Sequence, residues 1–241
     1  MRRRQIEVLT DSLKISIFKA ITEGFNNHLF DSSKIEFIER VPKHWKQTKI
    51  KYFANIQRGK FTHRPRNDPK MYNGPYPFIQ TGDVSKASKY INHFTQTLSE
   101  EGLKVSKMIP KKTLLITIAA NIGDIAILNF DSCFPDSIIG INTVSKISNE
   151  YLYYLLTSLK QNILKYAKIN TQMNINEKTI KPIRVPIPPK GEQEIILGRI
   201  SKLEKLNNLL KENLKNEILK LEEYKTILIN DVVTGKMKVT A

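Results

Sequence analysis

The chain carries, at residues 191–233, the stretch GEQEIILGRISKLEKLNNLLKENLKNEILKLEEYKTILINDVV. A helix cannot enter this stretch from upstream, because Pro186, Pro188 and Pro189 precede it and proline disrupts helical backbone on its N-terminal side. The stretch itself contains no proline. We therefore predict one helix, about 60 Å long at roughly 1.5 Å per residue. Such a helix is too long for an ordinary domain to cover.

The apolar residues of this helix recur at alternating spacings of three and four, as in the seam of a coiled coil. They are Ile196, Ile200, Leu203, Leu210, Leu214, Leu221, Tyr224 and Leu228. Asn207 and Glu217 take the two remaining positions of the same seven-residue frame, and an Asn there typically fixes register at some cost in stability. The helix is either a surface helix on its own domain or a spacer and dimerisation rod. The mixed charge on its flanks favours the rod.

The charge balance predicts a polyanionic partner. The chain has 39 Lys and Arg against 23 Asp and Glu, a formal net charge of +16 over 241 residues. Nucleic acid is the first partner that such an excess indicates. A Lys-rich, AT-biased genome produces the same excess without that function, so composition alone leaves both explanations open.

Cysteine usage and hydropathy predict a cytoplasmic protein. The single Cys133 excludes an intrachain disulfide framework and is typical of a reducing compartment. No apolar run approaches the roughly 18 residues that a membrane span needs. The basic start, Met1–Arg4, is followed by an amphipathic segment and not by an apolar one, so we expect no signal peptide.

Upstream of the rod, strand-like and helix-like segments alternate irregularly. Residues 5–23 have helical periodicity, and Gly24 fits the position after a helix end. Tyr76–Val84 is predicted as a strand broken at Thr81-Gly82-Asp83, Thr113–Leu128 as two strands, and Tyr151–Ala167 as a helix. This order predicts an α+β fold: one globular domain with an irregular mixed sheet, followed by a long, coiled-coil-forming helix.

The predicted domain limits follow changes of composition. Residues 1–40 form an N-terminal helix and linker, residues 41–189 the globular domain, and residues 190–241 the rod. The globular domain starts at Val41-Pro42-Lys43-His44-Trp45, where Trp45 is the only tryptophan and is expected to anchor the core.

A basic segment near the start of the domain is the first candidate for nucleic-acid contact. Residues 43–70 hold many Lys and Arg and the single acid Asp68, interleaved with aromatic and turn residues. Lysines suit phosphate contact, whereas Arg, Gln and Asn can bond to base edges. The candidate DNA-binding residues are Arg58, Lys60, Arg64, Arg66, Lys70, Gln80, Thr81, Asn121, Thr171, Gln172 and Asn174. A solvated charged loop is the alternative interpretation.

No catalytic motif is present in the sequence. Arg58–Thr62 resembles the end of a phosphate-binding loop, but Ala54 stands where the upstream glycine is needed. The histidines have no partner at metal-ligand spacing. We therefore predict a recognition subunit without an active site, metal or cofactor of its own.

A family resemblance rests on several segments in a fixed order. They are VPKHW (41–45), IQRGK (56–60), YPFIQTGDV (76–84), IPKKTLLITIAANIGDIAIL (109–128), CFPDS (133–137), EYLYYLL (150–156), TQMNINEKTIK (171–181), VPIPPKGEQEII (185–196) and EYKTILINDVVTGK (223–236). Together they resemble the specificity subunit of type I restriction–modification systems.

The resemblance implies a target-recognition domain attached to a conserved helical spacer. Members of this family typically read a bipartite DNA site and hold two methyltransferase subunits, which bring S-adenosylmethionine and methylate adenine. A motor–nuclease subunit with ATP and Mg²⁺ completes the restriction enzyme. The alternative is a non-catalytic adaptor or a silent specificity cassette without DNA specificity of its own.

The chain differs from the family pattern in having one recognition domain and one full helix. Residues 14–24, KISIFKAITEG, loosely match residues 225–235, KTILINDVVTG, so the N-terminal segment resembles the tail of a preceding spacer helix. The chain thus resembles half of a subunit. Two copies, paired through the Ile196–Leu228 seam with antiparallel helices, are expected to rebuild a full one and to read an inverted repeat.

Overall fold

The computed structural model describes residues 2–25, 29–144, 147–169 and 176–237, with backbone only at 166–169. Its described residues divide into two compact units. The smaller contains residues up to 17 and from 198 onward, and the larger contains residues 18–197.

The structure contains the following elements. The helices are α1 (Arg2–Glu23), α2 (Thr81–Lys86), α3 (Glu100–Lys104), α4 (Asn149–Ser158), α5 (Lys160–Ile169), α6 (Glu177–Ile180) and α7 (Lys190–Val233). The strands are β1 (Phe30–Ser32), β2 (Arg40–Pro42), β3 (Lys46–Lys49), β4 (Ala54–Arg58), β5 (Tyr72–Pro77), β6 (Tyr90–Ile91), β7 (Thr97–Leu98), β8 (Leu114–Thr117), β9 (Ile125–Leu128), β10 (Ile138–Thr143) and β11 (Arg184–Ile187).

A five-stranded sheet of order β4-β10-β8-β9-β6 forms the centre of the larger unit. Its strands pair antiparallel except for β6, which runs parallel to β9. Two-stranded sheets β1-β2, β3-β11 and β5-β7 surround it. The fold is therefore α+β with a mixed sheet, as the sequence predicts.

The core of the larger unit lies on this sheet. Every residue of β8 is buried, and α4 packs against β9. A cluster that includes Ile79, Leu115, Leu128, Phe134 and Ile138 fills one region of it. Branched apolar residues suit these strands because their side chains pack well on a pleated surface.

Tyr151 ties three chain segments together inside the larger unit. It is fully buried on α4, and its hydroxyl lies 2.9 Å from the carbonyl oxygen of Ile21 on α1 and 3.0 Å from that of Pro186 on β11. Burial, aided by the charge of Glu192, raises the pKa of Tyr151 well above its ordinary value. The hydroxyl therefore remains a neutral donor.

The first turn of α7 is fixed to the start of the domain. Trp45 Nε1 donates to Glu192 Oε2 over 3.1 Å, and His44 Nε2 lies 2.9 Å from the same oxygen. Gln193 is buried, donates to the Pro188 carbonyl and accepts from the Ser148 amide. The buried Trp45 is thus a core anchor, as predicted.

Two sequence predictions about secondary structure are wrong. The segment around Thr81 is the short helix α2 and not a break after a strand, because Gln80 and Asp83 form a capping box there. The helix predicted over Tyr151–Ala167 is divided at Leu159 into α4 and α5. The strands within Thr113–Leu128 and the long helix ending at Val233 are confirmed as β8, β9 and α7.

In the smaller unit, α1 lies antiparallel to α7. Asn207 Nδ2 donates to the Leu9 carbonyl over 2.8 Å. Nearer the start of α1, Arg2 pairs with Glu217 at 3.0 Å and Arg3 with Glu222 at 3.1 Å. The predicted seam residue Asn207 therefore has a partner within its own chain.

The seam residues differ strongly in exposure along α7. Ile196, Ile200 and Asn207 are buried, and Leu203, Leu214 and Leu228 are half-buried. Leu210, Leu221 and Tyr224 are exposed at 40%, 57% and 59%. A single copy of the chain thus leaves the C-terminal part of the apolar stripe uncovered.

None of the described helices is both long enough and apolar enough to cross a membrane.

Replacing Tyr151 with Phe is expected to lower the free energy of unfolding by about 1–3 kcal/mol, because buried carbonyls lose their donor. Tyr52→Phe is the matched control: this side chain is 68% exposed, and the change should stay within about 0.5 kcal/mol. Urea unfolding followed by circular dichroism measures both. Equal stability of the two variants would contradict a stabilising role for the hydrogen bonds of the Tyr151 hydroxyl.

Candidate nucleic-acid interface

One edge of the central sheet gathers the ends of several strands. β4 ends at Arg58, which pairs with Ile139, and β8 ends at Thr117, which pairs with Ile138. β9 begins on the same side, since Ile125 pairs with Ile116. The loops that follow β4 and β8, and those that precede β9 and β10, therefore meet at this edge, which we call the loop edge.

The loop after β4 is pressed against the segment before β10. The Gly59 amide donates to the Ile138 carbonyl over 2.9 Å, and the Lys60 amide donates to the Phe134 carbonyl over 3.0 Å. A Cβ atom at Gly59 would lie 2.2 Å from the carbonyl oxygen of Pro135 and 2.5 Å from that of Phe134. Only glycine allows this approach of two backbones.

Asp136 holds two of the predicted arginines at the loop edge. Arg58 Nε donates to its backbone carbonyl over 2.6 Å, and Arg66 Nη2 lies 2.7 Å from its carboxylate. Arg64 behaves differently, since its Nη1 donates to the carbonyls of Phe61 and His63 in its own loop. Arg64 thus supports the loop, whereas Arg58 and Arg66 keep further N–H groups for a ligand.

Lys60 and Lys70 present exposed ammonium groups. Their backbones are held, since the Lys60 carbonyl accepts from Ser106 Oγ and the Lys70 carbonyl from Ser99 Oγ. The hydrogen bond from the Lys70 backbone amide is the largest cause of the lowered pKa of the nearby Asp68, and the charge of Lys70 also helps to lower it. An exposed lysine on an ordered backbone suits contact with phosphate.

Polar side chains near α2 form a second group. Asn121, in the loop between β8 and β9, donates from Nδ2 to Ser85 Oγ on α2 over 2.8 Å. Gln80 donates from Nε2 to Gln96 Oε1, and Thr81 is the first residue of α2. The loop containing Asn121 reaches the loop edge through the Ile118 amide, which donates to the Ser137 carbonyl.

Asp124, beside this second group, forms an ion pair within the protein. Burial raises the pKa of its carboxyl, but the hydrogen bonds from Lys160, 2.5 Å away, and from Ser85, together with the charge of Lys160, outweigh burial and leave that pKa below its ordinary value. The group is therefore charged and paired at neutral pH. Its charge is offset by that of Lys160, with which it pairs.

The structure thus connects Arg58, Lys60, Arg66 and Asn121 to the loop edge and links Gln80 and Thr81 to it through α2. The basic segment predicted at 43–70 is not a single loop, because β3 and β4 run through it. Thr171, Gln172 and Asn174 lie outside the described residues. Sequence reasoning missed Asp136 and Ser85 as partners, although Asp136 belongs to the CFPDS segment used for the resemblance.

No group of His, Cys, Asp and Glu among the residues that the structure describes could hold a metal ion. The site combines amide groups and cations, and Asp136 is the carboxylate that Arg66 contacts.

The chain is thus a basic α+β domain with a cationic loop edge, joined to a long helix. These features define a polyanion-binding protein. The model of the type I restriction modification DNA specificity domain matches residues 42–220, and the chain belongs to that family.

Comparisons with individual proteins agree with this assignment. The chain is 27% identical over 240 residues to the putative type I restriction enzyme MjaX specificity subunit of Methanocaldococcus jannaschii, covering 98% of this chain and 53% of that protein. It is 28% identical over 250 residues to the MjaVIII specificity subunit of the same organism, covering 98% and 56%. The chain thus spans about half the length of these curated relatives.

In fold, the chain is similar to the HsdS subunit from Thermoanaerobacter tengcongensis, with a TM-score of 0.66 at 15% identity. That likeness covers 98% of this chain and 53% of the HsdS chain.

Gly59→Ala is expected to lower the free energy of unfolding by about 1–3 kcal/mol, because the added methyl group meets two carbonyl oxygens. Gly82→Ala is the control, since nothing lies within 4 Å of its Cβ position and α2 should gain slightly in helix propensity. Thermal and urea unfolding of both variants measure the difference. A Gly59→Ala variant as stable as Gly82→Ala would contradict the close approach at the loop edge.

Proposed function

We propose that the chain is a sequence-specific DNA-recognition subunit of a type I restriction–modification complex and reads one half of a bipartite site with its loop edge. The observation that carries the proposal is the convergence of Arg58, Lys60 and Arg66 on one ordered edge of a domain of this family. The net charge of +16 supports a polyanionic ligand.

The chemistry of the loop edge fits duplex DNA. Arg58 and Arg66 retain free guanidinium N–H groups, which match the O6 and N7 acceptors of guanine. The amides of Gln80 and Asn121 match the edge of adenine. Lys60 at the loop edge suits phosphate, as does Lys70 in the turn before β5, and Asp136 sets the directions of the two arginines before DNA arrives.

Catalysis is assigned to partner subunits. Methyltransferase subunits would supply S-adenosylmethionine and the methyl transfer, and a motor–nuclease subunit would supply ATP and Mg²⁺. The family resemblance supports this division. In this proposal the chain acts in the cytoplasm, where its free, buried Cys133 remains a thiol.

Lys60→Ala and Lys70→Ala should each weaken DNA binding by a similar factor on all sequences. Each should also reduce by about 1 the slope of the logarithm of the binding constant against the logarithm of salt concentration. Gln80→Ala should instead cost about 1–3 kcal/mol at one base position. Lys202→Ala, an exposed lysine of α7, is the matched control. Enrichment from a random DNA pool, with the chain bound to its methyltransferase partner, identifies the site, and titrations over a salt series measure the effects.

A wild-type complex that enriches no sequence would contradict the proposal. That outcome would favour the adaptor or silent-cassette interpretation.

We also propose that two copies associate through α7 with the helices antiparallel, so that two identical domains read an inverted repeat. Wild-type chain should therefore have the mass of a dimer in analytical ultracentrifugation. Leu210→Asp should give monomers, because the dimer would bury its charge. A wild-type monomer at tens of micromolar would contradict self-association and leave DNA reading to be tested separately.

A further inference from the structure

The loop between β8 and β9 holds Asn121 on an ordered backbone. The Asn121 carbonyl accepts from Thr117 Oγ1 and, over 3.3 Å, from the Asp124 amide. Thr117 is fully buried at the end of β8, and the next residue, Ile118, donates from its amide to the Ser137 carbonyl. The Asn121 side chain is exposed. An exposed amide group therefore stands at a fixed place beside the loop edge.

Ser85 on α2 is the residue that this amide contacts. Asn121 Nδ2 donates to Ser85 Oγ over 2.8 Å. The helix packs against β8 and β9, and its first turn is fixed by the capping box of Gln80 and Asp83. Ser85 is half-buried on this helix. Its hydroxyl is thus held in place by the packing of α2, independently of the loop that carries Asn121.

The neighbours of Ser85 decide which way the Asn121 amide points. A serine hydroxyl has one proton to donate and can otherwise only accept. Ser85 Oγ lies 3.0 Å from the Thr81 carbonyl and also hydrogen-bonds to the Asp124 carboxylate. Both groups are acceptors only, because Asp124 is charged and pairs with Lys160. One of them takes the hydroxyl proton, so Asn121 meets a lone pair and must turn its NH₂ group towards Ser85.

The orientation of the amide determines which base Asn121 can read. With Nδ2 bonded to Ser85, the amide keeps Oδ1 and its second N–H for a ligand. This acceptor and donor match N6–H and N7 of adenine in the major groove. The reverse orientation would present the NH₂ group alone, and its donors match the O6 and N7 acceptors of guanine. The contact with Ser85 therefore bears on the choice between the two purines.

We propose that Ser85 is a positioning residue for base recognition: its Oγ holds the Asn121 amide in the orientation that selects adenine over guanine at one base pair of the target. The inference rests on the proposed reading of DNA by the loop edge and assigns the atoms that read one base. It also gives Asp124 and Lys160 a role, since the charged carboxylate keeps the Ser85 proton away from Asn121.

Enrichment from a random DNA pool, with each full-length variant bound to the methyltransferase partner, tests the assignment. Asn121→Ala should lose the preference for adenine at one position. Ser85→Ala should lower the ratio of adenine to guanine at the same position by about 10-fold, because the amide is then free to turn. Ser85→Thr keeps a hydroxyl and should restore the ratio. The preferences at all other positions should stay as in wild type.

Two matched controls remove the same chemistry elsewhere. Asn129→Ala deletes an exposed amide that donates to Asn92 Oδ1 over 2.8 Å, directly after β9 ends and thus away from the loop edge. Ser16→Ala deletes an exposed serine of α1 whose hydroxyl donates to the Ser12 carbonyl, as Ser85 does to that of Thr81. Neither control should change the enriched sequence.

A modified base tests the contact from the DNA side. An oligonucleotide with 7-deazaadenine at the identified position keeps its base pairing and lacks the N7 acceptor. It should bind wild-type complex about 10-fold more weakly than the unmodified site does, and Asn121→Ala should bind both equally. Equal binding of the two oligonucleotides by wild type would overturn the assignment of adenine to Asn121.

The enriched sequences separate the outcomes. Loss of one adenine preference in both Asn121→Ala and Ser85→Ala, with recovery in Ser85→Thr, supports the positioning role. A Ser85→Ala complex that enriches the wild-type sequence overturns that role and leaves DNA reading by the loop edge standing. A uniform loss at every position overturns it as well, because Ser85 would then act on the stability of the domain. A wild-type complex that enriches no sequence overturns both the positioning role and the proposed function.

Discussion

The hydroxyl of Tyr151 is the constraint on which the larger unit depends. It reaches carbonyls of the end of α1 and of β11, which lie far apart in sequence, from the middle of a buried helix. Because the site is fully buried, water cannot replace the donor, and the three segments must be present together. The first turn of α7 follows β11 directly and is fixed by Trp45 and Gln193. The beginning and the end of the domain are thus joined through one small polar cluster.

The sequence predicted those elements whose signal is local. The proline stop and the three-four spacing gave the start and length of α7, and two apolar β-type runs gave β8 and β9. The break at Leu159 was missed because apolar residues continue through it, so the periodicity is the same on both sides. Gly82, next to Thr81, indicated a turn, whereas Gln80 and Asp83 carry the capping signal that starts α2.

The candidate site was predictable in residue type and not in arrangement. Arginines in a basic segment were visible, but their roles depend on Asp136, which is 78 residues from Arg58 in sequence. Arg64 looked equivalent to Arg66 and instead holds its own loop. The covering of Asn207 by α1 was likewise a contact between distant segments, which periodicity cannot detect. The spacing of apolar residues identifies the face of a helix that is buried. Only the tertiary structure shows which segment packs against that face.

The loop edge is held by backbone groups. The amides of Gly59, Lys60, Ile79 and Ile118 donate to carbonyls of residues 133–138, and these bonds do not depend on which side chains project from the loops. Apart from Gly59, and Arg64 whose side chain supports its own loop, the exposed positions can therefore exchange residues without loss of the frame. If the edge reads DNA as proposed, new target sequences can arise by a few substitutions at its tips while the core and the long helix stay the same. A change of DNA specificity would then have little effect on the stability of the fold.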